Sequence, residues 1–251
     1  MLTEIILLCL VSLAAGALNA VAGGGTFLTF PALVYAGVPP IAANATATLT
    51  ALPGYIGSAY AYRNDLRGEG SLSMIMILII AVVGGLAGSV LLLLTTDQAF
   101  TVIVPWLLLV ATVLFAAGPS LVEMMQKRDV ATAGPMISAA AFFAISVYGG
   151  YFNGGLGIMV LALLGLLGYS DLHGMNGLKS ILAAILSVTS AAAFAIAGLI
   201  VWEVALPMAA ATAAGGYLGA WVSKRITRTA YLRAFIVLVG AVMTVLFFLR
   251  Q

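Results

Sequence analysis

Along the chain, apolar runs of about 20 residues alternate with short polar interruptions. A helix needs roughly that length to cross a hydrocarbon core about 30 Å thick. Runs at 3–22, 41–62, 72–94, 99–118, 131–152, 176–198, 204–222 and 231–249 meet the requirement. Two further apolar pieces, 25–37 and 156–168, are too short to cross alone, and both follow glycines. This pattern predicts an all-α polytopic membrane protein without a soluble domain. The first run could be mistaken for a secretory signal, because ALNA supplies small residues. A signal has a basic start, whereas this one holds Glu4 and no Lys or Arg. The run is therefore read as a retained first transmembrane segment.

The stretch NAVAGGGTFLTFPAL, at 19–33, places three glycines in an apolar run. Each glycine weakens a helix by about 1 kcal/mol relative to alanine, so the chain breaks there. It breaks again at YFNGGLGIMVLALL, at 151–164. The two breaks correspond at a constant offset of 132 positions, which carries Gly23 and Gly25 onto Gly155 and Gly157. The same offset carries Asn44 onto Asn176, and Gly84, Leu86 and Val90 onto Gly216, Leu218 and Val222. It also lays VATVLF (110–115) over VMTVLF (242–247). These ungapped matches indicate an internal duplication: repeat 1 at about 1–120, repeat 2 at about 131–251, and a linker at about 119–130 in one membrane domain. Each repeat has about four full transmembrane helices plus a short, half-spanning helix after its glycine-rich break.

Composition strengthens the membrane assignment. The chain of 251 residues is 63% hydrophobic and 7% charged, with mean hydropathy +1.19. A soluble domain carries about 25% charged residues. Glycine and alanine are abundant, as expected where transmembrane helices pack closely.

Charge then sets orientation. Eight of the ten Lys and Arg residues sit in three places: Arg63 and Arg67; Lys127 and Arg128; Lys224, Arg225, Arg228 and Arg233. The positive-inside rule puts all three in the cytoplasm. That is consistent only if each short piece also completes a crossing. Each half then makes five crossings, the halves are inverted relative to each other, and both termini face outward. Arg250 outside is a mild exception. The rival count has four crossings per half with parallel repeats. It puts the basic loop at 224–233 outside and ranks second.

Naked backbone in hydrocarbon survives only when buried in protein or lining a watered cavity. Inverted repeats whose broken helices meet near the midplane are the pattern of secondary transporters. Glycines let a ligand approach the backbone, and free N–H groups at a helix start attract anions. Gly23, Gly24, Gly25, Gly154, Gly155 and Gly157 are therefore candidate substrate-binding residues. The alternative is that they serve only close helix packing.

Lys179 lies within a predicted span, and intramembrane charge marks function by default. Its ammonium could pair with an anion, or snorkel to the interface. Asn44 and Asn176 begin matched long helices, either as donors facing the site or as caps. Thr48 could line a path, though back-bonding to its own helix is the more usual role. Asn19 and Asn153 flank the breaks, not at equal offset. Tyr148 faces the cavity or the headgroups. His173 could titrate with a coupled proton, or be a solvated loop residue.

Enzyme chemistry, a metal site, a cofactor and nucleic-acid binding find no support. There is one His and one Cys, no P-loop, and no paired carboxylates at helical spacing. Without nucleotide machinery, transport must be passive or driven by an ion gradient.

The run LNAVAGGGTFLTFPAL, then GVPP, then AANATATL, resembles the sulfite exporter TauE/SafE family. YFNGGLGIMVLALLGLLG followed by MNGLKSILAAI is similar to that family's second repeat. The resemblance covers nearly the whole chain. It implies a bacterial or archaeal inner-membrane transporter that exports or imports a small sulfur-bearing anion such as sulfite or an organosulfonate. It also implies that the two breaks, Asn44, Asn176 and Lys179 surround that anion. Many members have a Lys directly after the Asn of the first repeat; here 43–45 read A-N-A. The expectation is a secondary transporter working by alternating access, coupled to H⁺ or Na⁺, with the small anion and the bilayer as partners and a homodimer left open. An anion channel and a structural or assembly subunit are the alternatives.

Overall fold

The computed structural model describes residues 2–21, 23–66, 72–126, 134–169, 171–223 and 230–249. These form ten α-helices, and no strand occurs among them. The first half holds α1 (Leu2–Val21), α2 (Thr26–Tyr35), α3 (Pro40–Ala61), α4 (Met74–Leu93) and α5 (Asp97–Gln126). The second holds α6 (Pro135–Tyr151), α7 (Leu156–Leu166), α8 (Leu172–Ile196), α9 (Trp202–Ser223) and α10 (Ala230–Leu249). Shifted by 132 positions, each helix of the first half falls on its counterpart in the second. Of the basic loops, only Arg63 is described with its side chain, exposed and lying over the Tyr60 ring; Arg67, Lys127, Arg128, Lys224, Arg225 and Arg228 lie outside the described residues.

Four helices, α1, α4, α5 and α8, are long and apolar enough to cross a membrane. The chain is a multi-pass membrane protein. Its large exposed side chains are apolar, among them Leu10, Ile75, Ile79, Leu91, Val102 and Val113, as a lipid-facing surface requires. Helix α3 matches the spans in length but is more polar, because it lies at the centre of the bundle. Its Asn44, Thr46, Thr48, Thr50 and Ser58 are all buried. It packs against α1, α2, α5, α8 and α9.

The packing repeats when the halves are exchanged. Helix α1 lies on α9 as α6 lies on α4, α3 on α9 as α8 on α4, and α2 on α10 as α7 on α5. Small residues set these close approaches. A Cβ on Gly16 or Gly219 of α1 and α9 would strike the backbone of Thr212 or Ala17, and one on Gly88 that of Val147. Leu13 meets Gly215 and Ala17 meets Gly219, so α1 and α9 run parallel. Ser58, late in α3, bonds Ser180, early in α8, at 3.0 Å. The two equivalent helices α3 and α8 therefore run antiparallel.

Both breaks end a long helix and begin a short one. After α1 the chain turns back alongside it, so that a Cβ on Gly25 would strike the Ala15 carbonyl. Helices α2 and α7, of 10 and 11 residues, rise only about 15 Å, half a membrane. Each is buried in its own apolar cluster. Phe30 of α2 stacks on Phe247 (5.5 Å between centroids) and meets Phe152 edge-on (5.6 Å). Leu156, Val160, Leu163 and Leu164 of α7 pack with Leu178, Leu182 and Tyr55.

Candidate functional site

The two breaks meet each other. A Cβ on Gly23 would lie 2.7 Å from the Cα of Gly157, and one on Gly157 would lie 2.6 Å from the Cα of Gly23. Only two glycines can come this close. Gly23 and Gly155 also hold φ of +83° and +74°, a region that side-chain-bearing residues enter at a cost of roughly 1–2 kcal/mol. Gly155 caps the start of α7 and sits against Ala111 and Phe27. Gly24 is buried and its carbonyl accepts from the Phe27 amide at 3.1 Å. The Gly154 carbonyl accepts from the Tyr148 hydroxyl at 2.6 Å. The glycines of the breaks thus answer to close packing and to backbone conformation together.

The Gly25 amide is already engaged, donating to Asn19 Oδ1 at 2.7 Å. Asn19 is therefore a staple across the first break. Asn153 does different work in the second. Its Nδ2 donates to Ser187 Oγ at 3.0 Å, and its Oδ1 accepts from the Tyr55 hydroxyl at 3.3 Å, so it ties the break to α3 and α8.

Lys179 projects inward from α8 and is fully buried. It does not snorkel. Its ammonium donates to Asn176 Oδ1 at 2.7 Å, to the Asn19 carbonyl at 3.1 Å and to the Ala20 carbonyl at 3.4 Å. Three N–H donors meet three oxygens. Two of those oxygens belong to the last turn of α1, where the helix dipole favours a cation by up to about 2 kcal/mol. All three are neutral, so the charge itself has no counter-ion among these partners. The Lys179 stem also lies against the Gly157 position, 3.2 Å from a Cβ built there. One side chain thus touches the end of α1, the start of α7 and its own helix.

Asn44 occupies the matching place in the first half. It is fully buried, and its Nδ2 donates to the Tyr151 carbonyl at the end of α6, at 2.9 Å. Thr48 donates back to the Asn44 carbonyl at 2.9 Å, as Ser180 does to that of Asn176 at 2.7 Å. Thr48 is therefore a back-bonded helix residue, as threonines in helices commonly are. His173 stands apart from this cluster. It is exposed in the first turn of α8, its amide is capped by Asp171, and its ring stacks on Tyr62 at 6.0 Å.

Tyr55 and Ser187 escape a reading based on residue type, because a tyrosine and a serine in apolar helices are unremarkable. Only their contacts to Asn153 in the folded chain single them out.

The family model for the sulfite exporter TauE/SafE matches residues 8–247. The chain belongs to that family. Three relatives agree with this along most of their length. A "Probable membrane transporter protein" of Haemophilus influenzae is 31% identical over 242 residues, 95% of this chain and 92% of the relative. "Probable membrane transporter protein YfcA" of Escherichia coli K12 is 28% identical, covering 93% of this chain and 86% of the relative. "Probable membrane transporter protein ORF9" of a Sinorhizobium species is 28% identical, with 84% and 78% covered. The TauE/SafE chain is accordingly a member of a family of membrane transporters.

Proposed function

We propose that this TauE/SafE protein is a secondary transporter that moves a small sulfur-bearing anion, sulfite or an organosulfonate, across the inner membrane. The observation that carries the reading is Lys179: a buried ammonium bound only by neutral oxygens, beside the meeting point of two backbone breaks. A buried charge without a counter-charge is costly, and an anion reaching it from either side would relieve that cost. The glycines Gly23 and Gly157 let the two breaks close on each other beside that ammonium. Asn44 and Asn176 line the two approaches.

The halves act as inverted repeats, a reading supported by the antiparallel run of α3 against α8 and by the exchangeable packing of the ten helices. Rocking of α1–α2 against α6–α7 about the Gly23–Gly157 contact gives alternating access. With the basic loops in the cytoplasm, both termini face outward.

The test is counterflow in proteoliposomes with labelled sulfite, sulfate, sulfoacetate, taurine and a carboxylate control. Saturable uptake of one sulfur anion, stimulated by the same anion inside and lost in Lys179→Ala, is the expected result. Flux without counterflow stimulation would make the protein a channel. No flux of any anion would leave the glycine breaks as packing devices.

A further inference from the structure

The second half satisfies its central asparagine with a built-in cation, and the first half does not. Asn176 Oδ1 accepts from the Lys179 ammonium at 2.7 Å. Its counterpart Asn44 Oδ1 is buried and accepts a hydrogen bond from no protein group. Its orientation is not arbitrary, because Asn44 Nδ2 is committed to the Tyr151 carbonyl at 2.9 Å. Turning the amide over would set two oxygens against each other. The position equivalent to Lys179 is Ala47, fully buried beside Asn44. The surroundings otherwise agree: Thr48 and Ser180 brace the two asparagine carbonyls alike, and the long helices α1 and α6 each end beside one of the asparagines.

We propose that a monovalent cation, Na⁺ in the first instance, binds at Asn44 and does in the first half what the Lys179 ammonium does in the second. Asn176 Oδ1 and two carbonyls at the end of α1 hold the ammonium; the matching oxygens that the first half brings together are Asn44 Oδ1 and Tyr151 O, and these hold the ion. The chemistry fits. Both are neutral oxygens, the donor type for a hard cation, and Tyr151 O lies at the C-terminal end of α6, where the dipole favours positive charge. Helix ends of this kind coordinate Na⁺ in transporters built from repeats. An anion is the wrong ligand for a carbonyl oxygen. The site supplies the coupling ion for the transport proposed above and rests on that reading for its purpose, though not for its existence.

The experiment uses the full chain in detergent with no transported anion. Melting temperature and ²²Na⁺ binding are followed as NaCl replaces choline chloride at constant ionic strength, with KCl and LiCl in parallel. A saturable rise in melting temperature, selective among the cations, and stoichiometric ²²Na⁺ binding are expected. Identical melting in all four salts with no ²²Na⁺ bound overturns the proposal, and this arm needs no variant to fold. Asn44→Ala should raise the half-saturating Na⁺ concentration about tenfold or more; an unchanged value overturns the placement. Ala47→Lys should abolish the Na⁺ response by supplying an ammonium, and a full response in a folded Ala47→Lys protein also overturns it. Anions are titrated separately as choline salts. An anion response without a Na⁺ response defeats the cation site alone, and the reverse defeats the anion reading alone.

Discussion

Two corners of this molecule share a plan and differ in the charge that one of them carries. Around Asn176 the second half places Lys179, whose ammonium reaches 160 positions along the chain to the end of α1. Around Asn44 the first half places Ala47 at the same register, and the asparagine reaches 107 positions to the end of α6. The backbone bonds, the bracing hydroxyls and the adjoining breaks match. The scaffold of the corner is therefore alike in the two halves, while its charge differs. The first corner holds its neighbouring helix by one neutral hydrogen bond and the second by two charge-assisted ones, which are about twice as strong.

The largest expected effect comes from removing that difference. Lys179→Met strips the partners from Asn176 Oδ1 and from two buried carbonyls. At about 1–3 kcal/mol for a buried acceptor left unpaired, unfolding in mixed SDS micelles should become easier by about 3 kcal/mol, with anion-dependent stabilisation lost. A loss below about 0.5 kcal/mol would mean that the two corners are held equally well.

Next come the glycines on which both corners pivot. Gly23→Ala should cost about 2–3 kcal/mol, combining overpacking against Gly157 with left-handed backbone strain. Gly157→Ala should cost about 1–3 kcal/mol from overpacking alone. Gly37 and Gly198 share positive φ, +88° and +73°, but a Cβ there meets nothing within 4 Å. Their alanine variants should lose only about 1 kcal/mol. Equal losses at all four positions would remove close approach as the reason for the breaks.

The flanking asparagines give a smaller contrast. Asn153→Ala leaves the buried Tyr55 hydroxyl and Ser187 without a partner and should cost about 2 kcal/mol. Asn19→Ala frees one amide at the first break and should cost about 1 kcal/mol. Hydrogen exchange should show the first confined to α3 and α8 contacts and the second to the start of α2. Smallest of all, His173→Ala should leave stability within about 0.5 kcal/mol, as for an exposed surface residue, with transport unchanged. A transport defect there would return the histidine to the coupling path.

Much of this was legible before any coordinates. The two glycine breaks, the two short helices and the offset of 132 follow from local pattern, because backbone freedom and hydrophobic length are properties of short stretches. The short helices, of 10 and 11 residues, are shorter than their apolar runs, because the chain turns at their ends, at 36–37 and 167–168. Helix α5, conversely, runs through Gln126, past the position at which its apolar run ends. The partners of the polar residues were not legible. From sequence Asn19 is a neighbour of the break, and only packing makes it the staple; Tyr55 and Ser187 carry no local signal of their contacts with Asn153.

The sequence by itself determined that this chain is a membrane-embedded helical bundle, broken at two glycine-rich stretches, and carrying a lysine where lipid-soluble chains avoid one. Those are consequences of hydrophobicity, helix propensity and spacing, which act within a few turns of chain. Only the tertiary structure decided that the two breaks touch through Gly23 and Gly157, that Lys179 is fixed by the end of α1 rather than by the interface, and that Asn44 keeps a buried oxygen unpaired. Hydrogen bonds and close approach act over about 3 Å, so they depend on which distant helices packing brings together.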